Sequence, residues 1–365
     1  MVRSILISCS LLFIAFNAGA QSSRTKDLAV IAYYTGNTTE IDEYPVEKLT
    51  HIIFSFCYLK DNKLVTGNKE ADARIRKLVS LKKKYPGLKI LLSLGGWGGC
   101  KDCSPVFSSV EGREIFASSV KEMLDSFKAD GIDLDWEYPA IEGYPGHPYK
   151  PEDRSNFTAL IKALRDKLGK KKEISFAAGG FTKFLQESIE WDKVMPMLDR
   201  VNLMTYDLIN GYSPVTGHHT ALYSTGKQIE STDHAVRYLD SMGVPLNKMV
   251  IGTAFYARVF EGADSVWSGV NRPAKFKSFV PYKHLEKEYS AAHGFITHWD
   301  EQAQAPYRYN PEKKLFATYD DLRSIRLKTE YAIGKGLNGI MFWELTLDRP
   351  SGGLLDEIYK VKITY

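Results

Sequence analysis

The sequence predicts an α/β fold in which eight parallel strands close into a barrel, the (β/α)8 or TIM-barrel class. Three observations predict it: eight short apolar runs recur along the 365 residues, helical periods separate most of them, and polar or aromatic residues follow the runs. An open doubly wound sheet would need a glycine-rich phosphate turn after its first strand, which residues 35–38 do not supply. The alternation therefore favours a closed barrel.

Each predicted strand is a short run rich in apolar, β-branched or aromatic residues. The eight runs are residues 28–34, 51–58, 89–94, 132–137, 173–178, 200–206, 249–256 and 339–344. Helical periods lie near residues 70–84, 110–128, 152–168, 183–197, 232–242 and 319–335. The period is clearest in the third of these, where Phe157, Leu160 and Leu164 share one helical face.

The interval from about residue 257 to 318 is much longer than a connection between strands seven and eight requires. It is rich in Tyr, Phe, Trp and His, and it contains strand-like pieces and a helix near 282–291. We therefore expect a small α+β insertion there, forming one wall of a deep cleft. Residues 21–365 are expected to form one catalytic barrel that includes this insertion.

The N-terminus has the pattern of a secretory signal peptide. Arg3 precedes an apolar stretch over residues 5–16, and small residues lead up to Ala20. The stretch is too short to span a membrane, and no later one is long enough. Residues 6–9 loosely resemble a lipoprotein cleavage box, but they precede the apolar run. We expect cleavage of residues 1–20 and secretion to the extracellular space or the periplasm.

Composition gives nucleic-acid binding little support. The formal net charge is only +4. No basic run exceeds the three lysines at 82–84 and at 170–172, and both runs lie near predicted helix ends, where cations suit the dipole. The pair His218 and His219 suggests a metal ligand, but its loop fits a cleft rim better. We expect a monomer without a metal ion or cofactor.

The cysteines predict one local disulfide. Cys100 and Cys103 form a C-x-x-C pattern in a glycine-rich loop, and an exported protein favours the bonded state. Zinc would need two more ligands, and the sequence has no second cysteine pair. Cys57 lies in an apolar run and fits a buried free thiol.

Residues 130–137 form the most informative motif, Asp-Gly-Ile-Asp-Leu-Asp-Trp-Glu. Asp133, Asp135 and Glu137 alternate with apolar residues, so on a strand three carboxyl groups share one face. Neighbours on that face lie ~7 Å apart and cannot all ionise independently, so the set should keep one proton for acid catalysis. A solvated edge strand and a metal site are weaker alternatives, because the flanks predict an α/β unit and calcium loops require a turn.

The predicted carboxyl ends of the strands carry polar and aromatic side chains, as expected of a barrel active site. Four further segments near these ends are Ser-Leu-Gly-Gly-Trp at 93–97, Met-Thr-Tyr-Asp at 204–207, Phe-Tyr-Ala-Arg at 255–258 and Met-Phe-Trp-Glu at 341–344. Together with residues 130–137, these segments resemble the motifs of chitinases in glycoside hydrolase family 18. The match to the family's D-x-x-D-x-D-x-E signature is complete, whereas Ala257 stands where the family usually has glycine.

The resemblance implies a role for each acidic residue of the signature. Glu137 would be the general acid/base that protonates the glycosidic oxygen. Asp135 would orient the acetamido group of the substrate and exchange a hydrogen bond with Asp133, while Asp130 would be structural. Tyr206 would join these residues in catalysis by contacting the N-acetyl group.

The resemblance also implies a set of substrate-binding residues. Asp207 would contact the N-acetyl group, and Trp343 would form the floor of the subsite where cleavage occurs. The other expected cleft residues are Tyr33, Phe56, Trp97, Tyr138, Met204, Tyr256 and Arg258.

The implied activity is hydrolysis of β-1,4 linkages between N-acetylglucosamine units in chitin or its oligosaccharides. Family 18 uses the acetamido oxygen of the substrate as nucleophile, so configuration is retained and no cofactor is required. Two alternatives remain open. An endo-β-N-acetylglucosaminidase acting on N-linked glycans shares the signature. A non-catalytic chitin-binding lectin shares the fold but usually lacks the final acid of the signature, which is Glu137 in this chain.

Overall fold

The computed structural model describes residues 28–365, and the predicted signal peptide at 1–20 lies outside them. In chain order the strands are β1 (Ala29–Tyr34), β2 (His51–Lys60), β3 (Lys63–Val65), β4 (Lys89–Gly95), β5 (Gly131–Asp135), β6 (Glu173–Gly179), β7 (Arg200–Met204), β8 (Met249–Ala254), β9 (Tyr256–Glu261), β10 (Lys275–Pro281), β11 (Ile296–Asp300), β12 (Ala305–Asn310), β13 (Leu315–Thr318) and β14 (Gly339–Trp343). The helices are α1 (Lys69–Ser80), α2 (Cys103–Phe107), α3 (Val110–Phe127), α4 (Asp153–Leu168), α5 (Thr182–Glu187), α6 (Trp191–Val194), α7 (Thr232–Ser241), α8 (Tyr282–Glu288), α9 (Leu322–Lys335) and α10 (Leu354–Thr364).

Eight of the strands form the barrel: β1, β2, β4, β5, β6, β7, β8 and β14. Neighbouring barrel strands are parallel, and β1 pairs with both β2 and β14, which closes the sheet. The predicted (β/α)8 TIM barrel is therefore confirmed. Among the helices described, none is long and apolar enough to cross a membrane.

Strand β5 shows how the alternating sequence positions the acidic residues. Ile132, Leu134 and Trp136 lie in the large apolar core that includes buried residues of α3 and α4. Asp133 and Asp135 are also buried, and the period of two places them on the opposite face, inside the barrel. The strand therefore packs against helices through one face and supplies carboxyl groups through the other.

The predicted insertion between the seventh and eighth barrel strands is confirmed. It is a five-stranded sheet with the order β10-β9-β13-β12-β11, together with helix α8. Its first strand, β9, begins at Tyr256, whereas barrel strand β8 ends at Ala254. The prediction that the barrel strand extends to Tyr256 was therefore wrong, because that residue pairs with Pro281 of the insertion.

Other differences lie at the ends of elements. Strand β2 continues to Lys60 because it forms a hairpin with β3, and the two-residue turn has positive φ at Asp61 (51°) and Asn62 (62°). The helix predicted over 183–197 is two short helices, α5 and α6, and Pro196 follows in a 3-10 turn. Proline lacks the N–H that a continuing α-helix would need.

Candidate active site

Asp133 is the centre of a buried hydrogen-bond network inside the barrel. One of its carboxylate oxygens accepts from Tyr33 Oη (3.0 Å) and Ser93 Oγ (3.0 Å). The other accepts from Ser175 Oγ (2.6 Å) and Asn202 Nδ2 (3.1 Å). Burial raises the pKa of Asp133, and the four hydrogen bonds oppose that effect. The network fixes this carboxyl group, and through β5 it fixes the backbone that carries Asp135 and leads to Glu137.

Asp135 and Glu137 form a coupled pair of carboxyl groups. Burial raises the pKa of Asp135, and the charges of Glu137 and Asp133 raise it further. Burial also raises the pKa of Glu137 to about 7, with help from the charge of Asp207. The pair therefore holds a proton near neutral pH, as the sequence predicted. The expected hydrogen bond between Asp135 and Asp133 does not occur among the described residues, because the partners of Asp133 are Tyr33, Ser93, Ser175 and Asn202.

Asp207 lies next to this pair and is held by a cation. Arg258 donates to both of its carboxylate oxygens, from Nε at 2.7 Å and from Nη2 at 2.5 Å. Burial raises the pKa of Asp207, but the interactions with His219 and with Arg258 outweigh that effect and hold the pKa well below its usual range. The backbone of Asp207 is left-handed, with φ of 55°. Asp207 is therefore a fixed negative charge beside Glu137.

Trp343 provides a partly exposed aromatic surface at the carboxyl end of β14. Its ring stacks on Phe56 with centroids 5.6 Å apart, and it tilts against Tyr33 at 5.8 Å. Non-proline cis peptide bonds precede Phe56 and follow Trp343. The indole ring is thus packed on two sides and can support a sugar ring on the side that faces the cleft.

Tyr206 and Tyr256 form the buried side of the pocket, with ring centroids 6.3 Å apart. The hydroxyl of Tyr206 lies 3.9 Å from the sulfur of Met341, and burial together with the charge of Asp135 raises its pKa. Met204 is buried in the same interior cluster. Tyr206 therefore remains protonated and can donate a hydrogen bond to a ligand.

Trp97 belongs to a second aromatic group at the mouth of the site. Its side chain is 46% exposed. It contacts Tyr138 at 6.4 Å, and it also contacts Tyr144 (5.5 Å) and Tyr212 (6.3 Å), which the sequence analysis did not identify. Three tyrosines from two different loops therefore surround one exposed indole ring.

Two predicted residue sets lie away from the carboxyl groups. Asp130 precedes β5, at the opposite end of the barrel, where it accepts hydrogen bonds from Lys82 Nζ (2.7 and 2.8 Å) and the Ile90 N–H (2.8 Å). Cys100 and Cys103 are joined as a disulfide in the loop that follows Trp97. These contacts are structural, since neither set faces the pocket that the acids form.

The sequence analysis also missed Ser175 and Asn202, which bind Asp133, and it assigned His219 only to a cleft rim. Serine and asparagine are common residues, and no local pattern distinguishes these two from the rest of their strands. The strand register could have found Ser175, because Asp133 is paired with it on β6. Among the described residues, no group of three or more His, Cys, Asp or Glu side chains is arranged to hold a metal ion.

The comparison with protein families decides the identity of the fold and the site. The model of the glycosyl hydrolases of family 18 matches residues 29–348. This chain belongs to that family. It is therefore a glycoside hydrolase, and residues 130–137 lie within the matched range.

Individual relatives agree with this assignment. Chitotriosidase-1 of Mus musculus is 32% identical over 326 residues, which cover 84% of this chain and 69% of that protein. Chitinase A1 of Niallia circulans is 34% identical over 300 residues, but the match covers only 43% of that protein. A solved family 18 N-acetylglucosaminidase from Paenibacillus barengoltzii is 34% identical, with a TM-score of 0.84, and the match covers 92% of this chain and 99% of that one.

Proposed function

We propose that this family 18 hydrolase is a secreted chitinase. It cleaves β-1,4 linkages between N-acetylglucosamine units with retention of configuration, and the acetamido group of the substrate is the nucleophile. The names of the relatives support the substrate class. The signal-peptide pattern of residues 1–20 supports secretion. The enzyme acts as a monomer and needs no metal ion or cofactor.

One observation carries the mechanism: Asp135 Oδ1 is buried beside Glu137 and has no hydrogen-bond partner within residues 28–365. A buried acceptor without a partner costs about 1–3 kcal/mol, so a donor from the substrate is favoured at that position. The N–H of an acetamido group is such a donor. Bound there, it would turn the acetamide oxygen toward the anomeric carbon, and Asp135 would stabilise the positive charge that develops on the ring it forms.

The other nearby carboxyl groups are already engaged. Asp133 accepts four hydrogen bonds, and Asp207 is held at both oxygens by Arg258. Neither is free to attack a sugar, which supports a nucleophile supplied by the substrate. Glu137 has a pKa of about 7 and is partly exposed, so it can donate its proton to the departing oxygen and later recover one from water.

An open groove next to the site supports a polymeric substrate. Its volume is about 810 Å³, and it lies between the loop around Tyr212 and insertion residues that include Phe276. Tyr212 contacts Trp97, and Phe276 lies against the guanidinium group of Arg258, at 5.3 Å from the ring centroid. Two residues of the groove wall therefore touch Trp97 and Arg258, and the groove offers room for further sugar units.

The test compares Glu137→Gln with the wild-type enzyme on N-acetylchitotetraose. The variant keeps the shape and hydrogen bonding of the side chain but has no proton to donate, so turnover should fall by about 10²–10⁴ or more while tetramer binding, measured by calorimetry, persists. The first product of the wild type should be the β-anomer by proton NMR, and fully deacetylated oligomers should resist cleavage. Early α-anomer, or rapid cleavage of an oligomer without acetamido groups, would refute the mechanism.

A second candidate is the release of single N-acetylglucosamine residues from chain ends, which the name of the Paenibacillus barengoltzii relative favours. Mass spectrometry of early products separates the two candidates, because an endochitinase yields mixed oligomers and an exo-acting enzyme yields monomer first. A high-mannose glycopeptide in the same assay tests the alternative activity on N-linked glycans. Binding of oligomers without any cleavage would indicate a lectin.

A further inference from the structure

His219 is a fully buried imidazole that lies behind Asp207. Its Nδ1 atom is 3.5 Å from Asp207 Oδ1, and its ring lies 5.2 Å from that of Tyr256. In the part of the chain that the structure describes, neither ring nitrogen has a partner that meets the geometry of a hydrogen bond. A buried polar ring with so few partners costs stability, so packing alone does not account for a histidine at this position.

Hydrogen bonds fix the backbone that carries His219. The N–H of His219 donates to Thr318 Oγ1 (3.1 Å), and its carbonyl accepts from the N–H of Leu208 (3.0 Å). The next residue, Thr220, donates to Asp320, which is bound in turn by the buried Lys328. The backbone at His219 is therefore held by its own loop, by the insertion and by helix α9.

The charged groups that face His219 are Asp207, Arg258 and Asp320. Burial lowers the pKa of His219 more than the two carboxylates raise it, so the ring is neutral near neutral pH. A neutral ring can donate from Nδ1 without cancelling the charge of Asp207. The charge of Asp207 contributes to the raised pKa of Glu137. The size of this contribution depends on the distance between the two carboxyl groups.

We propose that His219 is a positioning residue: it holds the carboxylate of Asp207 at the place from which Asp207 keeps Glu137 in its acid form. Arg258 alone does not define that place, because a bidentate pair can swing as a unit about the Asp207 side chain. His219 contacts Asp207 Oδ1 from a second direction. The inference rests on the proposed role of Glu137 as the acid, but not on which polymer is cleaved.

Three variants test the proposal. His219→Leu keeps apolar volume but removes the donor, and His219→Asn keeps an N–H donor without a titrating ring. His218→Leu is the matched control, since His218 is also buried in the same loop but pairs with Asp300 (2.9 Å) instead of Asp207. Two properties are measured for each: kcat/KM against pH, and the titration of the Glu137 carboxyl carbon by ¹³C NMR, assigned with Glu137→Gln.

In His219→Leu, the alkaline limb of kcat/KM and the titration of Glu137 should both move to lower pH. The ratio of kcat/KM at about pH 8 to that at about pH 6 should fall at least about threefold. His219→Asn should restore the wild-type profile, and His218→Leu should reduce stability without moving the limb. A His219→Leu profile that superimposes on the wild type, or an equal shift in His218→Leu, would overturn the proposal.

Two measurements still test the role of His219 if the enzyme is inactive on chitin oligomers or if His219→Leu does not fold. If the enzyme does not cleave chitin oligomers, the proposed function fails, but the NMR titration of Glu137 still tests His219. If His219→Leu does not fold, imidazole ¹⁵N spectra of the wild type decide the question. They should show His219 as the neutral tautomer with the proton on Nδ1, and a proton on Nε2 alone would refute the proposal.

Discussion

Deprotonation of Glu137 should set the alkaline limit of activity. Burial chiefly, and the charge of Asp207 next, raise the pKa of Glu137 from its ordinary value of 4.5 to about 7. In the proposed mechanism the acid form of Glu137 protonates the leaving group, so activity should be present below about pH 7 and be lost as the pH rises through that value. If the first step required the carboxylate form instead, activity would rise as the pH rises through about 7.

The environment of Glu137 has a large effect on the population of its acid form. With a pKa of about 7, the acid form is half the population at about pH 7, about a tenth at pH 8 and about a hundredth at pH 9. With an ordinary value of 4.5, only about 0.3% would be protonated at pH 7. The barrel interior therefore increases the reactive population at neutral pH about 150-fold.

The assay is initial-rate hydrolysis of N-acetylchitotetraose at concentrations well below KM, with products separated by chromatography between about pH 5 and pH 9.5. Near-ultraviolet circular dichroism over the same range controls for loss of the fold. Above the inflection, kcat/KM should fall about tenfold for each further pH unit. A rate that stays constant to about pH 9 in a folded enzyme would show that Glu137 does not donate the proton, or that its environment does not raise its pKa.

Two further predictions concern groups that support the site. Lys328→Met should reduce the free energy of unfolding by about 3–5 kcal/mol in urea denaturation, because it leaves the fully buried Asp320 without its cation. The double variant Lys328→Met/Asp320→Asn should recover part of this loss. A loss below about 1 kcal/mol in Lys328→Met would contradict the reasoning. Tyr33→Phe keeps the ring that packs on Trp343 but removes the hydrogen-bond donor to Asp133. The kcat should therefore fall about tenfold with little change in KM. An unchanged kcat would mean that this hydrogen bond does not affect the reaction.

Local pattern was sufficient to predict the elements and the acidic strand. Alternation over residues 130–137 places Asp133 and Asp135 on one face and Ile132 and Leu134 on the other, because the side chains of any strand alternate. The order of strands and helices was sufficient to predict the barrel, since short parallel strands joined by helices have few ways to close. One error was at the end of an element, where Tyr256 pairs with the insertion instead of extending the barrel strand. Another was within an element, since the helix predicted over 183–197 is two short helices.

Contacts between distant parts of the chain were decided only by the tertiary structure. Asp133 receives its hydrogen bonds from β1, β4, β6 and β7, and no spacing in the sequence relates these donors to one another. His219 approaches Asp207 from a loop, and Arg258 approaches it from the insertion. Together they define the position of the Asp207 carboxylate. The sequence predicted that the acidic set keeps a proton, and its resemblance to family 18 points to Glu137 as the acid. The closed barrel decided the pKa of that residue, because a pKa depends on burial and on charges that only folding brings together.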